Sequence, residues 1–231
     1  MNMRLCITVA IVQLLLFGIC EAQTKPKPKP NPSTLPAAVP AKPGIDIGSV
    51  SGRTYTNATF GFEVTFPDSW LIPDSDFEAY MKKQGFDLSL KAPDSLPPAS
   101  KTAVNQAIKR VNVLLTAYRS MPGSPDNAIV RISVEDLSGN PKVKDAVDYF
   151  DAIRAMYAKM KLPADFRYSE TQAEKLGRMQ FAYIDADSSA GKKRMYATVR
   201  NGYAVMFTLS YKVDIDLQTL RGVLEGGNFH L

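Results

Sequence analysis

Apolar and polar residues alternate most strictly between Ala58 and Trp70. Phe60, Phe62, Val64 and Phe66 occupy every second position, with Gly61, Glu63 and Thr65 between them. At the strand period of two, the four large side chains share one sheet face. Pro67 withholds an amide donor and ends the ladder, and Trp70, the only tryptophan, follows just beyond. Residues 53–56 form a short β-prone run ahead of this strand. After it the period becomes helical: Ser75 and Glu78 have capping-box spacing, and Phe77, Tyr80, Met81 and Gln84 follow at helical steps up to Gly85. Residues 86–90 alternate again as a strand.

Pro97 and Pro98 open a long helix, read as running to Tyr118, with Val104, Ile108, Val111, Leu114, Leu115 and Tyr118 on one stripe. Ala128, Val130, Ile132 and Val134 predict a second firm strand. Asn140-Pro141 has the form of a helix start, and the apolar stripe from Val143 through Phe150, Ile153 and Tyr157 continues to Leu162. Strands are predicted near residues 166–173, 178–187, 193–199 and 203–211. Asn201-Gly202 between the last two is a strong hairpin signal, because both residues tolerate positive φ. Residues 216–224 close the chain as a helix, stopped by Gly226-Gly227. About seven strands and four helices without regular βαβ alternation predict an α+β fold, an antiparallel sheet with helices packed on it.

Composition changes the picture at the N-terminus of the 231-residue chain. Residues 1–22 read as a secretory signal: Arg4, an apolar run to Ile19, then Cys20-Glu21-Ala22 with small residues at the cleavage positions. That run is shorter than the roughly 20 residues that span a bilayer. A retained anchor and an acylated Cys20 are the weaker alternatives. Cleavage after Ala22 leaves no cysteine, which excludes disulfides, thiol nucleophiles and cysteine-ligated metals. Residues 23–44, with proline at nearly every second position, read as a disordered, polyproline-like spacer. The domain proper is placed at 45–231. Lys25, Lys27, Lys29 and Lys42 lie in the spacer, so residues 45–231 carry 23 basic against 22 acidic side chains. That near-balance does not suit a nucleic-acid footprint. Asn57-Ala58-Thr59 matches a glycosylation sequon.

Residues 55–70, with the aromatic pattern Gly-Phe-Glu-Val-Thr-Phe-Pro-Asp-Ser-Trp, resemble the opening of PsbP-like domains. Residues 202–211 and the short helix after them resemble that family's last strand and C-terminal helix. The middle, with its helix from Lys101 to Tyr118, departs from the small plant form and looks like an insertion. The resemblance implies an α/β/α sandwich on a mainly antiparallel sheet of about six to seven strands. It also implies a non-catalytic role, as an extrinsic photosystem II subunit or an exported protein such as the DcrB-type bacterial lipoproteins. The motif is made of core residues, so it speaks to fold and is nearly silent on function.

Chemistry is sparse. The single histidine, His230, stands next to a terminus expected to fray, and no G-x-S-x-G, G-x-G-x-x-G or Walker motif occurs. Asp185 and Asp187 share a strand face and offer oxygen ligands for a hard cation, although a solvated hairpin explains them more simply. Lys192, Lys193 and Arg194 read as a basic hairpin tip, a contact for an acidic partner or a solubilising edge. Trp70, with Tyr55, Tyr80, Tyr203 and Tyr211, is a core residue or the rim of a pocket. No cofactor and no metal is expected.

The leading reading is a secreted or periplasmic, non-catalytic accessory module, expected to be a monomer, that contacts an unknown protein or cell-envelope partner. A small-ligand-binding protein with an aromatic pocket comes second and a hydrolase third. Mass spectrometry of protein from its native host is expected to find the N-terminus at Gln23; retention of Met1, or a lipid on Cys20, would refute secretion by cleavage.

Overall fold

The computed structural model describes residues 44–74, 76–92, 96–160, 162–189 and 191–230. Residues 1–22, read as a signal, and all but the last of the residues read as a spacer therefore lie outside the described residues. Among the described residues, eleven strands and four helices follow in the order β1 (Ser49–Ser51), β2 (Thr54–Asn57), β3 (Phe62–Thr65), α1 (Phe77–Lys83), α2 (Pro98–Ile108), β4 (Val111–Tyr118), β5 (Ile129–Asp136), α3 (Ala146–Tyr157), β6 (Arg167–Tyr168), β7 (Gln172–Leu176), β8 (Met179–Ser188), β9 (Gly191–Arg200), β10 (Tyr203–Tyr211), α4 (Asp214–Glu225) and β11 (Asn228–Phe229). They form two antiparallel sheets, β1-β2-β3-β11 and β4-β5-β10-β9-β8, the latter with β6 and β7 both on the outer edge of β8. The class is α+β.

The long sheet is apolar on both faces, and each face builds its own core. Phe150, Ile153 and Tyr157 of α3 and Val104 and Ala107 of α2 pack with Ala182, Ile184, Met195 and Met206 on one side. Phe181, Tyr196, Val205, Phe207 and Leu209 point to the other, where the small sheet and Leu220 and Leu224 of α4 cover them. The opening segment belongs to this second core: Phe60, Phe62, Val64 and Phe66 are all buried, as their alternation predicts. Trp70 is buried too, its ring centroid 6.1 Å from that of Phe66.

Polar side chains fix this segment at both ends. Arg53 donates to the carbonyls of Trp70 and Asp68 and holds the turn after Pro67. Arg200 reaches across from the long sheet and donates to the carbonyls of Phe60 (3.0 Å), Gly61 (2.8 Å) and His230 (2.6 Å). Gly61 has φ +63, and a Cβ there would stand 3.1 Å from Arg200 Nη1, so the position needs glycine. Asn57 is fully buried; its Nδ2 donates to the Asp46 carbonyl at 2.9 Å and to Tyr55 Oη at 3.2 Å, while its Oδ1 accepts from Phe60 N at 2.9 Å.

Several sequence readings are corrected. The helix read as running to Tyr118 stops at Ile108, and residues 111–118 are the edge strand β4. A β-bulge between Val113 and Leu115 places Leu114 and Leu115 in consecutive buried positions, which imitates helical spacing inside a strand. The helix expected from Asn140 begins at Ala146: Asp145, in an extended conformation, accepts from the amides of Val147 and Asp148 at 2.9 Å, whereas residues 137–143 form turns. Residues 86–90 make no strand, and the strand at 166–173 divides into β6 and β7. Helix α1 is present with Asp76 at its N-cap and no side-chain cap bond; Ser75 lies outside the described residues, and Tyr80 of the expected stripe is exposed. The Asn201-Gly202 turn forms with φ of 51° and 78°. The C-terminus does not fray as expected, because β11 pairs with β3 and His230 N donates to the Gly61 carbonyl at 2.8 Å.

Phe62 lies against Tyr55, Phe207 and Phe229 with 1% of its surface exposed. Replacing Phe62 with Ala is expected to cost about 3–5 kcal/mol in urea unfolding; a change within about 0.5 kcal/mol would contradict the packing described.

Candidate functional site

The chain's chemistry-bearing residues meet where the β8–β9 hairpin leaves the long sheet. The Ser188-Ser189 end is fastened by Asp165, whose Oδ2 accepts from Ser189 N at 2.9 Å and Ser189 Oγ at 2.6 Å. Antiparallel pairing then sets side chains of four strands opposite one another. Arg167 of β6 faces Asp187 of β8, Asp187 faces Lys192 of β9, and Lys192 faces Tyr211 of β10. One step inward, Asp185 faces Arg194. These rows border an open groove of about 270 Å³, closed at its β6 edge by Tyr168 and Ser169.

Of the residues singled out in the sequence, Asp185, Asp187, Lys192 and Arg194 converge here. Lys193 does not. It alternates onto the opposite face, buried at 1% exposure under the helical layer, and burial, followed by the charge of Arg131, pushes its ammonium well below the usual lysine range. The three consecutive basic residues are therefore not one hairpin tip. Trp70 lies in the core away from the groove, and Tyr55 and Tyr203 pack with the opening segment. Sequence reasoning missed Arg167, Tyr168 and Ser169, since only the pairing of β6 with β8 brings them to the site.

Most charges in the groove are already matched. The Arg194 guanidinium is bidentate to Asp185, with both nitrogen–oxygen distances 2.6 Å, and lies 4.1 Å over the Tyr183 ring. Burial alone would lower its pKa, but the bonds to Asp185 and Tyr196 outweigh burial and raise it. Tyr196 Oη donates to Glu174 at 2.7 Å, and Glu174 accepts in turn from Arg221 of α4. Lys192 pairs with Asp214 at 3.0 Å. Tyr211 is pushed up to about 12, first by burial and then by Asp185, with Arg194 opposing. A forked guanidinium on Asp185 holds the oxygens that a hard cation would need. Among the described residues no cluster of three or more His, Cys, Asp or Glu side chains is placed to hold a metal ion. The arrangement can present oriented charge and aromatic surface; it does not present a base beside a nucleophile.

The one carboxyl with a strongly raised pKa lies elsewhere. Glu135 is buried in the helix-side core, and burial pushes it up to about 8, with Tyr149 and Arg110 pulling back and Asp136 adding to the rise. Tyr149 Oη is 2.7 Å from its Oε2 and 3.0 Å from Met206 Sδ, while Oε1 has no hydrogen-bond partner among the described residues. Only 1% of the surface of Glu135 is exposed.

No protein-family model matches the chain, and no curated protein sequence matches it. Among solved structures it is similar to cyanobacterial PsbP from Synechocystis sp. PCC 6803, at 15% identity over 84% of this chain and 98% of that one, with a TM-score of 0.39. It is also similar to a crystal structure from Bacteroides thetaiotaomicron VPI-5482, at 10% identity and a TM-score of 0.39, over 79% of this chain. The match spans 50% of that second protein's length. Likeness at this level says nothing of activity or partner. No helix among the described residues is long and apolar enough to cross a membrane.

Glu135 sets a pH dependence. Between about 4.5 and about 8 the unfolded chain releases this proton while the folded one retains it, so its contribution to stability falls as pH rises through that window and levels off above it. Glu135→Gln is expected to flatten that decline and to stabilise the protein by about 1–3 kcal/mol at pH 9; an unchanged pH profile in thermal melts would remove Glu135 as its cause.

Proposed function

We propose that the chain is an exported, non-catalytic accessory module that binds a protein or cell-envelope partner through the Asp185–Arg194 face. Residues 1–22 are its removed leader, residues 23–44 its spacer, and residues 45–231 act as one unit. The observation that carries this reading is the fixed position of Arg194. Its charge is clamped by Asp185, and its plane lies over Tyr183 with Tyr196 hydrogen-bonded behind. With 15% of its side chain exposed beside the groove, Arg194 is held in a fixed, preorganised position, and rigid Arg and Tyr groups are common anchors of protein interfaces. A proton-transfer site would instead keep an acid or base free to change charge. The second reading, an aromatic ligand pocket, has weaker support: Tyr211 is buried, Tyr168 packs with Tyr157 on the helix side, and Trp70 is not among the groove's lining residues.

Affinity capture from the native envelope fraction, with wild type and Asp187→Lys side by side, tests the proposal. Asp187 is exposed, so the exchange is expected to leave the melting temperature within 2 °C, on the order of a neutral surface substitution, and to deplete the specific partner at least tenfold. A partner retained equally by both forms, or a hydrolytic activity abolished by Asp187→Asn, would overturn it.

A further inference from the structure

The helix side of the long sheet carries a second group of charges, separate from those of the groove. Lys193 of β9 and Arg131 of β5 stand there with β10 between them. Arg131 lies directly opposite Thr208 of β10. Ser210, the next β10 residue on this face, is diagonal to Arg131 and directly opposite Lys193. Arg131, Ser210 and Lys193 therefore form a line across three neighbouring strands. Diagonal neighbours in a sheet are about 7–8 Å apart, within reach of long side chains. Thr208 and Ser210 are short, so nothing bulky on β10 separates the two long cationic side chains.

Like charges meet here with little to offset them. Lys193 is 1% exposed, and the charge of Arg131 reaches it. Arg131 is half-buried; burial works against its charge, while Tyr118 and Glu78 favour it. Glu78 is exposed on α1, and among the described residues Arg131 forms no ion pair and donates no side-chain hydrogen bond. The half-buried Ser210 hydroxyl makes no hydrogen bond among them either. Glu135, the nearest acid along β5 on this face, keeps its proton up to about pH 8 and adds little negative charge. A half-buried fork of five donors that bonds to no protein group calls for an acceptor from outside the chain.

We propose that Arg131 and Ser210, with the Lys193 amino group beneath them, form a binding site for a small oxyanion of the phosphate type. The guanidinium fork takes two of its oxygens, and the Ser210 hydroxyl donates to a third. Strands β5 and β9 are two strand spacings apart, roughly 9.5 Å, a span that one tetrahedral anion bridges with the reach of both side chains. An anion held there also favours the charged form of Lys193, which Arg131 alone opposes. A halide has no separate oxygens for the fork and the hydroxyl, so the donor set selects an oxyanion. The site is on the opposite sheet face from Asp185 and Arg194 and is independent of the contact surface proposed above.

Titration of the full chain with inorganic phosphate, near neutral pH and at constant ionic strength, tests the site by calorimetry and amide NMR shifts. One saturable event is expected, with shifts centred on Arg131, Lys193 and Ser210. Arg131→Gln is expected to weaken binding on the order of tenfold, through loss of a charge-assisted bond, and Ser210→Ala to weaken it by less. Without phosphate both variants are expected to melt like wild type, since neither side chain bonds to the described protein. Lys192→Gln, on the opposite face, is expected to bind as wild type does. No saturation by about 10 mM phosphate, equal affinity in Arg131→Gln, or shifts centred on Arg167 and Lys192 would overturn the proposal. An equal response to chloride would show general screening and overturn it as well. Partner capture that still depends on Asp187 would then leave the proposed function standing.

Discussion

The two sheets meet through a cluster of phenylalanines, and much of the structure depends on it. Phe62 of β3 and Phe229 of β11 come from the small sheet, Phe181 of β8 and Phe207 of β10 from the long one. Their ring centroids lie 5.3 to 6.1 Å apart, and the contacts between the two sheets are edge-to-face. Such pairs add about 0.5–1.5 kcal/mol each beyond the burial of area. The sequence has cysteine only at positions 6 and 20, so nothing covalent assists these contacts. Arg200 locks the cluster by tying the Phe60-Gly61 turn and the C-terminal strand to the end of β9. The C-terminal residues are thus part of the scaffold.

Where one physical rule governed a segment, the sequence was legible. Alternation alone placed Phe60 to Phe66 on a buried face, and the tolerance of Asn201 and Gly202 for positive φ located the hairpin. Where two rules compete, the reading failed. A bulge in β4 shifts parity by one residue, so Val111, Leu114, Leu115 and Tyr118 carry a helical period in an extended chain. Asn140-Pro141 offered a good cap, but Asp145 made the actual cap hydrogen bonds. Strand β11 has two residues, too few for any period to register.

The groove was half legible for the same reason. Asp185 and Asp187 were correctly placed on one face by their spacing of two. Taking Lys192, Lys193 and Arg194 as a unit ignored that rule, and the strand sends the middle residue to the opposite core. Arg167, Tyr168 and Ser169 reach the groove only through long-range pairing, which no local pattern encodes. The arrangement of the groove therefore follows register. Slipping β8 against β9 by one residue would separate Asp185 from Arg194 and dismantle the charge lattice.

Asn57 carries a consequence for how the protein is made. Oligosaccharide transfer to an Asn-x-Thr acceptor modifies the side-chain nitrogen, and here that nitrogen is sealed inside the fold and donates to two partners. The folded protein is therefore a non-substrate for the reaction, while the extended nascent chain is an open one. A glycan attached during translocation would block the Asp46–Asn57 contact on which the start of the small sheet is built. Production through a glycosylating secretory pathway therefore calls for a non-acceptor residue at Thr59.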